Sequence, residues 1–145
     1  MSHSEIARIA LALLCVAQGL GTVAVDLNRT HASNPLWPGH ARFHLVWQAV
    51  SYALLSLIEV ALILMTGPFP EQRFYLAALL ASVPMLSFLA AVLLTRIYGG
   101  ALSDPNGIPP LSMRVFGSGK TIDLNLTVEF VALLMLLGIV LLFTR

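Results

Sequence analysis

Charge is scarce in this chain. Asp, Glu, Lys and Arg make up 10% of the 145 residues, where a soluble domain carries about a quarter. Most of the chain therefore does not face water. Cysteine is nearly absent, and the single Cys15 excludes an internal disulfide and a cysteine-rich metal site. It stands in an apolar run and reads as a packed structural thiol. The net charge of +1 offers no basis for nucleic-acid binding. No internal repeat is visible. The basic region that opens a secretory signal is also missing, since Arg8 is the only positive side chain before Arg29. The first apolar run therefore reads as a membrane span, not a cleaved leader. Ala12-Leu13-Leu14 before Cys15 lacks the small residue that precedes a lipidated cysteine.

What is present is aliphatic. Hydrophobic residues account for 58% of the chain, and the mean hydropathy is +0.87. Four apolar runs, at about 6–25, 43–65, 74–94 and 124–143, each approach the ~20 residues that cross a hydrocarbon core. Inside lipid every backbone polar group must be paired internally, so the runs are expected to be helices. The fold class is all-α: one integral membrane four-helix bundle covering 1–145. Gly19 and Gly21 are expected to admit a neighbouring helix closely, Gln18 to face a partner helix, and Pro84 to kink the third span.

The connections differ in kind. Gly67-Pro68-Phe69-Pro70 is tight and makes spans two and three antiparallel neighbours. The 99–123 connection is long and rich in Gly and Pro, and reads as a cap loop. By parity, the 26–42 and 99–123 loops share one side of the membrane. The termini and the 67–73 turn share the other. Arg29, Arg42, Arg96, Arg114 and Lys120 lie on the first side, against Arg8, Arg73 and Arg145 on the second. That bias favours the long loops in the cytoplasm.

Polar chemistry concentrates in the stretch 26–48, which holds three of the four histidines and both tryptophans. On a helix of 100° per residue, His40, His44, Trp47, Gln48, Ser51 and Glu59 fall within one arc of about 120°. Such a stripe is expected to face the bundle interior or a water-filled cavity. Glu129 is ~8 Å into span four, with Asn125 on the same face. Asp26, His31, His40, His44, Gln48, Asp123, Asn125 and Glu129 can thus converge at one membrane face, with Arg42 or Arg96 offsetting negative charge. Glu59 lies deeper and apart. Each interfacial group also has a plain reading as a helix cap or solvated end. Glu59 and Glu129 resist it more, because ionisable groups within a span cost ~2.5–3.5 kcal/mol to insert.

The run His31-x-x-Asn34-Pro35-x-Trp37-Pro38-x-His40-Ala41-Arg42-Phe43-His44 resembles the signature of an uncharacterised family of small four-span membrane proteins. That resemblance implies the fold and no activity. The architecture is also similar to the emopamil-binding and sigma-2-receptor superfamily, which buries carboxylates around a sterol-like ligand. Asp26, Glu59 and Glu129 would stand in broadly analogous places. No motif aligns, so no site is carried over.

Three functions fit these residues. The first is acid–base chemistry on a hydrophobic sterol- or isoprenoid-like substrate: an isomerase, hydratase or cyclase. His44 would be the base, Glu129 the acid, and His40 and Asp26 orienting partners. Arg42 would be an electrostatic anchor, with Trp47, Gln48, Asn125 and Glu59 toward the substrate. The apolar half lined by spans two to four would hold the hydrocarbon. The second is a non-catalytic receptor for a lipid, quinone or pigment, or a subunit of a membrane complex or homo-oligomer. The third is a metal site of His40 and His44, completed by His31 and Asp26 or Glu129. The residues name no cofactor. Gly117-Ser118-Gly119-Lys120-Thr121 is set aside as a phosphate loop, because Arg114 stands where that motif needs glycine and no preceding strand is expected.

Overall fold

A computed structural model describes the backbone of residues 1–115 and 118–145, and the side chains of these outside 112–120. Four helices make up the bundle: α1 (His3–Asp26), α2 (Gly39–Leu64), α3 (Pro70–Tyr98) and α4 (Leu124–Phe143). All four are long and apolar enough to cross a membrane. The protein is an all-α four-helix bundle of a multi-pass membrane type. The fourth span starts and ends where its hydropathy does. The first three extend past their apolar runs by up to four residues at an end, because polar flanks such as His3, His40, Glu71 and Arg96 continue the helices.

Each boundary has a local cause. Ser2 and Glu5 form a reciprocal capping box at the start of α1, which satisfies two orphan amides. Asp123 caps α4 by accepting from the Leu126 amide at 2.9 Å. Pro70 opens α3, where its missing N–H costs nothing. The tight α2–α3 turn is held by Arg73, whose guanidinium donates to the carbonyls of Pro68, Met65 and Gly67.

The helices form a ring in chain order, with α1 packed most extensively on α2 and closing the ring against α4. The buried positions of α2 are Ala49, Ser56, Glu59 and Ile63, with Leu45 half-buried before them and Tyr52 half-buried among them. That 4-3-4-3-4 spacing is the seam of a left-handed bundle. Gly19 of α1 meets Ser56 of α2 on this seam: a Cβ on Gly19 would stand 2.6 Å from Ser56 Cβ. Gly21, expected to serve the same approach, is exposed and faces open space. It sits about 200° round the helix from Gly19, so only one of the two glycines can face α2.

Gln18 crosses the bundle. Its Nε2 donates to the Ala81 carbonyl of α3 at 3.3 Å, in the turn that Pro84 loosens by lacking an N–H. Pro84 itself is buried within α3 without ending it. At the end of the bundle that holds the termini, Phe74 and Phe143 stack with centroids 3.7 Å apart.

The cap segment is not all loop. Strand β1 (Leu111–Val115) pairs antiparallel with β2 (Ser118–Ile122), from Leu111 opposite Ile122 to Val115 opposite Ser118. The cue was in the sequence: Leu111, Met113 and Val115 alternate with Ser112 and Arg114. A strand does therefore precede Ser118, contrary to expectation. A second strand follows where a phosphate loop would need a helix, and Gly117 lies outside the described residues.

Candidate functional site

The polar stretch splits into three parts when folded. The first is the α1–α2 connection. Asn28 donates to the Ala24 and Val25 carbonyls at 2.8 and 2.9 Å, closing the end of α1. Its Oδ1 therefore faces the loop, and accepts from the Thr30 amide and the Thr30 hydroxyl at 2.7 and 2.6 Å. Thr30 Oγ1 also lies 2.7 Å from His31 Nδ1. A hydroxyl has one hydrogen. It goes to Asn28 Oδ1, which can only accept. His31 Nδ1 must then be the donor, and His31 Nε2 keeps its lone pair. The sequence offered no means of assigning that tautomer.

Asn34 ties this loop to the cap. It is 5% exposed. Its amide donates to the Thr30 carbonyl at 3.2 Å and to the Asn106 carbonyl at 2.5 Å, and its Oδ1 accepts from the Leu36 amide at 3.0 Å. Trp37 packs edge-on against His31, with centroids 5.0 Å apart. Its indole also lies beside Gly107, where an added Cβ would touch it at 3.6 Å.

The second part is the bundle interior below this loop. Asp26 of α1, Tyr52 of α2 and Glu129 of α4 are all half-buried. Both carboxyls lie close enough for their charge to act on the Tyr52 phenol. His31 acts in the same way on Asp26. Three helices and one loop thus send ionisable groups to one end of the bundle. Tyr52 was not among the expected residues, although its place on the α2 seam marks it as inward-facing. Glu59 lies lower on that seam and is 1% exposed. The Cys15 thiol adjoins it, yet among the described residues neither carboxyl oxygen has a partner in hydrogen-bonding geometry.

The third part is the outer face of α2. His40, His44, Trp47, Gln48 and Ser51 are exposed, not interior. This corrects the expected single stripe with Glu59. At 100° per residue Ala49 and Ser56 stand about 180° and 160° from His40, beyond that arc, and the bundle takes this side of α2 with Glu59 at the arc's edge. Ala53 and Ser56 let α1 approach to the distance that Gly19 sets, whereas Trp47 and the imidazoles would hold it away. His44 is therefore not paired with Glu129. It meets His40 instead, Nε2 to Nε2 at 3.0 Å.

The remaining expected residues fall outside the interior group. Asn125 is exposed, and Asp123 is the α4 cap. Arg42 is half-buried, with an Nε that has no hydrogen-bond partner among the described residues. Among the described residues, no three His, Cys, Asp or Glu side chains are placed to hold one metal ion. The site of His40 and His44 completed by His31 and a carboxylate is thus not assembled within one chain. A groove of about 580 Å³ runs between α1 and α2 at the terminal end, lined by Ile9, Leu13, Val16, Val60 and Ile63 among others, with Glu5 and Arg8 at one side. It lies in the half expected to receive hydrocarbon, but on spans one and two instead of two to four. Comparison with protein-family models, curated proteins and solved structures gave no match.

Proposed function

We propose that this protein performs acid–base chemistry on a hydrophobic, sterol- or isoprenoid-like substrate that enters from the bilayer. The observation that supports this reading is that Asp26, Tyr52 and Glu129 are half-buried at one end of the bundle, with His31 near Asp26 in the loop that Asn34 anchors. His31 Nε2, which carries the lone pair in this tautomer, is the base, and Asp26 orients the imidazolium that forms. Glu129 is the acid. Tyr52, near both carboxyls, carries a proton or holds an oxygen of the substrate. A proton leaves one carbon to His31 and another arrives from Glu129, which is the balance of an isomerisation. His31 takes the base role that sequence spacing suggested for His44.

The test begins with mass spectrometry of lipids extracted from the purified protein. With the co-purifying compound as substrate, His31→Ala and Glu129→Gln are each expected to abolish turnover, with helix content unchanged. His44→Ala is expected to retain it. Full activity in His31→Ala and Glu129→Gln overturns this reading.

The α1–α2 groove favours a second reading, a non-catalytic lipid-binding protein. A stoichiometric, chemically unchanged lipid displaced by Val16→Trp would support it. The motif family of small four-span proteins is our proposal for kinship. We further place the 27–38 and 99–123 loops in the cytoplasm, on the five-to-three balance of basic residues. Cysteine labelling at 103 and at 67 in intact cells checks this, and labelling of 103 from outside reverses it.

A further inference from the structure

The His40–His44 pair is left without a role by the chemistry proposed above. Its two Nε2 atoms are 3.0 Å apart, with the rings nearly perpendicular. Both residues lie in the first two turns of α2 and are exposed. Phe43 and Trp47 flank them and are 62% and 61% exposed. Exposed aromatics at this level mark the boundary between lipid and water, so dissolved ions reach the pair.

We infer that His40 and His44 form half of a transition-metal site, and that the same pair of a second copy completes it. The first step is the bite. With metal–nitrogen bonds of ~2.0–2.1 Å, donors 3.0 Å apart subtend about 94° at a shared ion. That is a cis angle of a square-planar or tetragonal centre, the preference of Cu(II) and Ni(II). A tetrahedral zinc would ask the donors to spread by about 0.3 Å. Binding breaks one hydrogen bond: the Nε2–H that links the rings transfers through solvent to Nδ1 of the same ring. Both Nε2 lone pairs then go to the metal, and the two neutral imidazoles keep their proton count.

The second step is the ligand count. Two imidazoles fill half of a four-coordinate shell, and no third His, Cys, Asp or Glu joins them among the described residues. The open coordination positions point away from the bundle, because the pair lies on its outer face. Copies inserted in one membrane share orientation and depth. A two-fold axis along the membrane normal therefore sets two such pairs at one level, with Phe43 and Trp47 packing beside the ion.

The test uses the full chain, purified without a polyhistidine tag into nanodiscs, with copper(II) chloride as the probe. The expected results are one copper per two chains, an electron paramagnetic resonance spectrum with couplings to four imidazole nitrogens, and a copper-dependent shift from monomer to dimer mass. His40→Ala and His44→Ala are each expected to lose copper affinity beyond the ~100-fold that outer partners of a ligand are worth. Circular dichroism checks that these exposed substitutions leave the helices intact. One copper per chain on a monomer overturns the shared site, and so does undiminished affinity in either variant.

Discussion

Gly19 of α1 lies directly against Ser56 of α2, with space for a hydrogen and none for a methyl group: a Cβ on Gly19 would be 2.6 Å from Ser56 Cβ and 2.8 Å from Ser56 Oγ. Ser56 Oγ donates to the Cys15 carbonyl at 2.7 Å, one turn before Gly19, so the close approach also carries a hydrogen bond between helices. Lipid tails are as apolar as the helices themselves. Association within the membrane then rests on such close packing and on interhelical hydrogen bonds.

Gly19→Ala is expected to push α1 off α2, since the atom it meets is a Cβ fixed to the backbone. The cost should be about 1–3 kcal/mol, as for overpacking elsewhere. A thermal melt in detergent reads it as a lower Tm. Gly21→Ala is the control and should leave Tm unchanged or slightly raised. An unchanged Tm in Gly19→Ala would mean that this seam does not set the helix spacing.

Asn34→Ala removes the bonds to the Thr30 and Asn106 carbonyls and to the Leu36 amide together, three part-buried hydrogen bonds. A loss of roughly 1–3 kcal/mol follows. Because Asn34 joins the α1–α2 loop to the cap, the effect should be local. Limited proteolysis is expected to cut near 104–107 faster in the variant than in the parent, with the helices retained. Equal cutting would show that the cap is held elsewhere.

Glu59→Met is expected to stabilise the bundle. The carboxyl is buried, and among the described residues neither oxygen has a hydrogen-bond partner. Replacing it with an apolar side chain of similar length relieves a desolvation cost of roughly 1–3 kcal/mol. A higher Tm or slower unfolding in a denaturing detergent checks this. A lower Tm would indicate that Glu59 shares a proton with the Cys15 thiol.

Phe143→Ala takes away the stack on Phe74 and the edge contact with Tyr75 at 5.5 Å. Aromatic pairs are worth ~0.5–1.5 kcal/mol beyond their area. Amide hydrogen exchange should rise in the last turns of α4 and the first turns of α3, and remain unchanged at the opposite end of the bundle. Uniformly raised exchange would instead mark a global loss of stability.

Sequence alone determined the number of spans, their order and the end of the molecule where polar groups gather. The reason is local: a backbone in lipid must pair its own N–H and C=O groups, so each apolar run becomes a helix whatever its neighbours. The 124–143 span therefore coincides with α4. Which side of α2 turns inward was not local. His44 and Glu59 fall in one arc on a helical wheel, yet His44 is exposed and Glu59 is buried. The decision was made by a residue on another helix, Gly19, whose missing side chain lets α1 close onto Ala53 and Ser56 and leaves the imidazoles outside. The His31 tautomer was decided in the same way, by how Asn28 spends its amide hydrogens on the end of α1. Helix formation follows from one segment and its solvent, whereas facing and proton placement follow from the shapes and donors that other segments bring.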